Sequence, residues 1–236
     1  ILSKLGDIYV NDAFSCSHRA HASVVKITNF LPSFCGLQMN LEINALRKVT
    51  TEIQKPITCI IGGSKISTKI NIIKNLIPKF ENIVFVGGMA NNILEYKGFT
   101  VGKSIKEENC KKVIDNIFTL AKEHSCNIVF PKDVSVGKNF KDVAKNKELI
   151  EVDKDDLILD IGEKSIKDIK SIIDVSRTVL WNGPAGYFEN QNFAKGSLEI
   201  ANKIVSKIKD IYSVAGGGDT IALLNMANAI HHFNFV

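Results

Sequence analysis

Arginine is scarce in this chain. Only three occur in 236 residues, Arg19, Arg47 and Arg177, and the lysines are scattered rather than clustered. The formal net charge is a mild +5. A nucleic-acid groove wants a dense basic face with stacking aromatics, so this pattern speaks against one and suits a small anionic substrate. Cysteine is sparse too. Cys16, Cys35, Cys59, Cys110 and Cys126 show no paired metal spacing. Their odd number and the lack of a leader pattern give the expectation of a reducing, cytoplasmic setting. No apolar run approaches the ~18 residues that span a bilayer, so no membrane partner is expected. The G-x-S-x-G elbow, the G-x-x-x-x-G-K-[ST] loop and the G-x-G-x-x-G fingerprint are all missing. The last absence weakens a rival reading as a dinucleotide-dependent oxidoreductase.

What the chain has is an apolar supply of 45% against 23% charged residues, enough for one large globular domain or two small ones. It also has one device repeated four times. A β-branched apolar run stops at glycine at Ile57–Gly63, Ile83–Gly88, Thr178–Pro184 and Tyr212–Thr220, and each is read as then starting a helix. Glycine lets a ligand approach bare backbone, and a helix start aims free N–H groups and a positive dipole end at the same spot. Several such tips on one edge of a parallel sheet describe a polyanion site, most simply for a nucleotide polyphosphate.

The rest of the chain reads as alternating elements. A strand at Tyr9-Val10 leads into a polar, His-rich turn. Apolar spacing predicts a helix over Met39–Glu52 that Lys55-Pro56 ends. Further helices are expected at Ser67–Leu76, Met89–Tyr96, Glu107–His124, Glu163–Ile173, Phe193–Ile208 and Asp219–Ile230. Short strands are expected at Ile128–Phe130 and Phe233–Val236. Val134–Leu157 is polar and reads as surface hairpin or loop. The fold class is α/β, a Rossmann-like, mainly parallel sheet with helices on both faces. Ile1–Leu5 reads as the tail of a helix already under way, so a piece of a longer protein is expected.

Four clusters could carry chemistry. Lys65 and Lys69 follow Gly62-Gly63 and, four apart, would share a helix face. They are either a phosphate clamp or solvated surface lysines. Asp219, after Gly216-Gly217-Gly218 and before Thr220, could cap a helix or hold Mg²⁺ through oxygen. Glu189, after Trp181-Asn182-Gly183-Pro184, could accept from ribose hydroxyls or stand as an exposed acid on an apolar loop. Arg19, His18 and His21 follow Asn11-Asp12-Ala13-Phe14. Arg19 could fork onto a phosphate or carboxylate, whereas packing and turn bonding suit the histidines better.

Five of these strings, in this order, resemble the phosphoglycerate kinase family of bacterial type. They are Asn11–Phe14 with His18–His21, Gly62–Lys65 with Lys69, Val101-Gly102-Lys103-Ser104, Trp181–Pro184, and Gly216–Thr220. The resemblance implies a two-lobed enzyme. Residues 1–38 would be the end of the substrate lobe, which remains here as a remnant of a second α/β lobe. Residues 39–56 would be the interlobe helix and hinge, and residues 57–236 the nucleotide lobe. It implies substrate contacts from Arg19 and Lys55, and a catalytic Lys65 near the transferred phosphoryl group. Nucleotide contacts would come from Lys69, Leu159, Asn182, Glu189, Gly217, Gly218, Asp219 and Thr220, with Mg²⁺ at Asp219. ADP or ATP and phosphoglycerate would be the partners, and the full-length form a monomer.

There are departures. Lys55 stands where the family has arginine and loses the bidentate fork. Val86 replaces the first glycine of the second tip, and Glu163 stands where proline is common. The expected reaction moves a phosphoryl group between 1,3-bisphosphoglycerate and ADP. Its reverse nucleophile is a carboxylate, ionised at neutral pH, so no general base is required. A non-catalytic nucleotide-binding remnant is the alternative.

Overall fold

The computed structural model describes residues 1–52 and 54–236. Residue 53, inside the stretch read as a hinge, lies outside the described residues. The chain divides into two compact units, Ile1–Glu52 and Ile53–Val236.

In the first unit, strand β1 (Tyr9–Asn11) pairs in parallel with β2 (Ser33–Cys35), and helix α1 (Leu37–Thr50) follows. α1 buries Met39, Ala45 and Val49. Its N-cap, Gly36, has no side chain to offer, so Asp12 caps the helix from a distance. Asp12 Oδ1 accepts the Met39 N–H at 2.7 Å. A Cβ on Gly36 would collide with that carboxylate at 2.3 Å. Part of the Asn11–Phe14 string is thus spent on starting a helix.

The second unit is built on strands β3 (Ile57–Ile61), β4 (Asn82–Phe85), β5 (Asn127–Val129), β9 (Thr178–Asn182) and β10 (Tyr212–Gly216). They form one parallel sheet in the order β10-β9-β3-β4-β5. Successive side chains on a strand face opposite ways, so each central strand feeds two cores. Ile60, Val84, Val179 and Trp181 pack with helices α5 (Glu163–Val175), α6 (Lys195–Ser206) and α7 (Gly218–Met226). Ile57, Cys59, Ile61, Ile83 and Phe85 pack with α2 (Ile70–Leu76), α3 (Gly87–Tyr96) and α4 (Lys111–Glu123). All five residues of β3 are buried, and its one polar side chain, Thr58, is satisfied by the Ser176 hydroxyl at 2.8 Å. The Rossmann-like arrangement follows. Of the Phe233–Val236 strand, the described residues form only one bridge, between Val214 and Phe235.

Of the two readings of Val134–Leu157, the hairpin holds and the loop does not, and its first strand is buried rather than on the surface. Strands β6 (Asp133–Gly137), β7 (Lys145–Glu148) and β8 (Leu157–Ile161) make a separate antiparallel sheet in the order β7-β6-β8. β6 is buried along its whole length. Its polar residues are satisfied inside. Asp133 Oδ1 accepts the Ser165 N–H at 2.8 Å and Oδ2 the Lys164 N–H at 2.9 Å, at the start of α5. A third core of Leu94, Val101, Val134, Val136, Leu149 and Val152 lies against this sheet.

Candidate nucleotide site

The four glycine-ended strands, β10, β9, β3 and β4, are consecutive neighbours in the parallel sheet, so their carboxyl tips share one edge. The tips are locked together by close backbone approach. Gly183 has φ +112°, and a Cβ there would lie 2.6 Å from the Gly62 carbonyl carbon. A Cβ on Gly62 would in turn lie 2.6 Å from Pro184 O. The Gly183 peptide is held on both sides. Its N–H donates to Thr220 Oγ1 at 2.8 Å, and its carbonyl accepts from the Trp181 indole at 2.8 Å. Thr220 is fully buried, so its hydroxyl ties the tip of β9 to α7.

The tips do not offer their helix starts equally, which corrects the uniform expectation. After β9 comes a loop, 183–190, and α6 begins only at Lys195. The loop cannot wind up because it docks on β8. Tyr187 N–H donates to Leu159 O at 2.6 Å, and a Cβ on Gly186 would lie 2.4 Å from that same oxygen. After β3, Lys65 lies in a loop and Lys69 in a short 3-10 turn, so the two share no α-helical face. The N–H and hydroxyl of Ser67, at the start of that turn, are both taken by the Glu107 carboxylate. These bonds hold Glu107 below the usual carboxylate range, with Lys65 adding a smaller pull. At the start of α3, the Gly87 and Met89 N–H groups donate to Ala185 O and Gly63 O. At α7, by contrast, the N–H groups of Gly218, Asp219 and Thr220 have no hydrogen-bond partner among the described residues. The N-cap Gly217, at φ +93°, turns the chain into that helix.

Lys65, Lys69, Asn182, Gly217, Gly218 and Asp219 line one cleft of about 380 Å³. Lys65 is exposed. Lys69 is half-buried and folds back onto the sheet edge. Its Nζ donates to Gly62 O at 2.8 Å and to Asn182 Oδ1. Burial lowers its pKa from the ordinary lysine value, while the nearby Asp219 charge pulls it up. Asp219 is exposed and makes no cap bond at α7. It has no hydrogen bond or ion pair among the described residues.

No group of three or more His, Cys, Asp or Glu could hold a metal ion among the described residues. A single free carboxylate beside open amides fits Mg²⁺, which keeps waters and takes phosphate oxygens alongside one or two carboxylates.

A second cavity, about 230 Å³, shares Gly63, Ser64, Pro184 and Asp219 with the cleft, so the two make one groove. Its walls are mainly apolar and include Leu159, Ile105, Phe140, Tyr187 and Phe188. Glu189 stands exposed at its rim. Asn91, Ser104 and Asp160 also line it and were not singled out in the sequence as site residues. The Val101–Ser104 string gave a signal for one of them. Gly102 bridges to Leu157, and Ser104 Oγ accepts the Ile158 N–H at 2.8 Å, which pins that segment to β8.

Two expected site residues stand elsewhere. Lys55 precedes β3 at the opposite edge of the sheet and pairs with Glu81 at 2.7 Å. Arg19 is in the first unit, exposed, with no side-chain partner among the described residues.

The model of the phosphoglycerate kinase family matches residues 1–236, the whole chain. The chain belongs to the phosphoglycerate kinase family. It is 39% identical over its full length to the phosphoglycerate kinase of Zymomonas mobilis and 42% identical to that of Methylorubrum extorquens, covering 60% of each. Among solved structures, phosphoglycerate kinase from Coxiella burnetii matches with a TM-score of 0.93 at 32% identity, over 100% of this chain and 61% of that one. The Pyrococcus horikoshii phosphoglycerate kinase matches with a TM-score of 0.79 at 29% identity, over 95% of this chain and 57% of that one. The chain therefore spans about 60% of the length of the curated phosphoglycerate kinases it resembles. No helix among the described residues is long and apolar enough to cross a membrane.

Proposed function

We propose that the second unit binds ADP or ATP with Mg²⁺, and that the whole protein transfers a phosphoryl group reversibly between 1,3-bisphosphoglycerate and ADP. The observation that carries this reading is the two-part groove. An apolar cavity for a base runs into a polar cleft where Lys65, Lys69, Asp219 and the free amides of α7 converge. Family membership supports the same reading. The chain divides, on this proposal, into the end of a substrate lobe (1–38), a hinge helix (39–56) and a nucleotide lobe (57–236).

The phosphate chain lies along the tips, with the α7 amides of Gly218, Asp219 and Thr220 donating to its oxygens. Lys69, half-buried and already oriented by Gly62 and Asn182, contributes fixed positive charge without having to reorganise. Lys65 is free to move and follows the transferred group. Asp219 would hold Mg²⁺, which would supply neutralisation of the phosphate charge. Leu159 packs on the base, and Glu189 accepts from the ribose. Arg19 remains the candidate phosphoglycerate contact, and Lys55, paired with Glu81 at the far end of β3, does not. The acceptor in the reverse direction is an ionised carboxylate, so alignment and charge neutralisation suffice. A chain of this span is expected to bind nucleotide with little turnover.

Titration calorimetry of the chain with ADP, with and without Mg²⁺, and with NAD tests the reading. One saturable ADP site, strengthened by Mg²⁺, with no comparable NAD site, is the expected result. NAD binding as tightly as ADP, or folded protein that ignores ADP, overturns it.

A further inference from the structure

Of the two lysines on the polar cleft, Lys69 is tied to Gly62 O and Asn182, whereas the Lys65 side chain has no hydrogen bond or ion pair among the described residues. The Lys65 backbone is held instead. Upstream, Gly63 O accepts the Met89 N–H at 2.8 Å. Downstream, Lys65 O accepts the Thr68 hydroxyl at 2.8 Å, inside the turn Ser67–Lys69. Glu107 fixes that turn from outside. One oxygen of its carboxylate takes the Ser67 N–H at 3.0 Å, and the other takes the Ser67 hydroxyl.

Glu107 sits on a strap, residues 103–109, that belongs to no helix or strand. Two buried amides of α3 anchor the strap. Asn91 Nδ2 donates to Ile105 O at 2.9 Å, and Asn92 Nδ2 donates to Glu107 O at 2.8 Å. At its upstream end, Ser104 Oγ accepts the Ile158 N–H of β8 at 2.8 Å. The residue that supplies the carboxylate is thus pinned by its own carbonyl, so the grip on Ser67 starts from a fixed point. A plain helix cap satisfies one donor. Glu107 holds two groups of one residue, close behind Lys65, and makes no ion pair with Lys65 among the described residues. The lysine charge stays available to a ligand while the chain that carries it is held.

Resting on the function proposed above, we propose that Glu107 is a positioning residue for phosphoryl transfer: by holding Ser67 it sets where the Lys65 ammonium can reach. It touches neither substrate nor the transferred group. A misplaced lysine is felt as charge spreads in the transition state, so the loss should appear in kcat. Binding of ADP should not register it, because Lys69 and the α7 amides owe nothing to Glu107.

The test is made in the chain completed to the length of its relatives, assayed with 1,3-bisphosphoglycerate and ADP. Glu107→Ala should cut kcat about ten- to thirtyfold, with the KM for ADP and the calorimetric ADP affinity within about twofold of the parent. Glu107→Gln can still accept the Ser67 N–H and donate to its hydroxyl, so it should keep at least about half of the parent kcat. In a Lys65→Ala background, Glu107→Ala should cost no more than about a further twofold, since it acts through that lysine. Circular dichroism checks the fold. Should Glu107→Ala not fold, Ser67→Ala removes the hydroxyl half of the grip and should show the same pattern with about a threefold loss. An unchanged kcat overturns the proposal. So does a loss that multiplies in full in the Lys65→Ala background, or an equal loss of ADP affinity, which marks a general prop of the cleft. A glutamine variant as slow as the alanine overturns it too, since charge rather than position would then be at work. In each of these cases the proposed function still stands. If the folded parent transfers no phosphoryl group, that function falls and this inference falls with it.

Discussion

A methyl group at Gly183, buried at the tip of β9, should be costly, and the cost can be built from its parts. The φ of +112° is one an L-residue adopts at about 1–2 kcal/mol. The new carbon would also sit 2.6–2.7 Å from the Cα, carbonyl carbon and oxygen of Gly62, and backbone held in a sheet edge cannot swing aside. Overpacking of that kind costs about 1–3 kcal/mol. Gly183→Ala should therefore lose roughly 2–5 kcal/mol in all, or about 5–15 °C of melting temperature for a unit of this size.

Two other glycines separate the contributions. Gly98 has φ +91° but nothing within 4 Å of a Cβ, so Gly98→Ala should lose only the conformational part, about 1–2 kcal/mol. Gly218 opens α7 in open space without a positive φ, so Gly218→Ala should stay within about 0.5 kcal/mol of the parent. Urea unfolding followed by fluorescence reads this directly. Trp181 is the sole tryptophan, fully buried and bonded to the Gly183 carbonyl. A Gly183→Ala variant as stable as the parent, or a Gly98→Ala loss of equal size, would show the interlocked tips to be energetically idle.

Three further outcomes are expected. Burial pushes the Asp160 carboxyl up from 3.8 to about 7, so between those values the folded state keeps a proton that the unfolded chain has released. Stability should then fall as pH rises through that window. Asp160→Asn should flatten the slope in urea midpoints, and an unchanged slope would locate the titration elsewhere. Lys69→Met should weaken ADP binding roughly ten- to a hundredfold, the scale of a charge-assisted bond, as read by calorimetry. Unchanged affinity would leave Lys69 a purely structural clamp for Asn182. Lys65→Ala, made in a chain completed to the length of its relatives, should cut kcat about 10²- to 10³-fold with little change in nucleotide affinity, and equal losses in both would make it a binding residue.

The parallel sheet was readable from the chain because its signal is local. Ile57–Ile61 and Ile83–Val86 are apolar on both faces, and each ends at glycine. The burial of β6 was not readable, since Asp133-Val134-Ser135-Val136-Gly137 alternates like a surface strand. Its polar residues find partners such as Ser165 some thirty residues later, a distance that no periodicity encodes. The lysine pair failed for a related reason. Spacing places Lys65 and Lys69 on a common helical face, yet α2 begins only at Ile70, because Glu107 closes off the turn that precedes it. Leu159 was legible only through family resemblance, whereas Glu189 was already a candidate from the rigid string that precedes it. Asn91 left no trace at all, because an asparagine inside a helix looks the same in sequence whether or not the helix lines a cavity.

The apolar half of the groove hangs mostly from β8 and the loop docked on it, while its glycine-lined half hangs from the five-stranded ladder. The two sheets are separate ladders, and the docked loop between them is bonded to both. Mutational drift can therefore re-tailor one compartment while the other stays fixed. A descendant, or a designer, could change which ring system is admitted by editing β8 and its docked loop, and leave the crown of amides untouched.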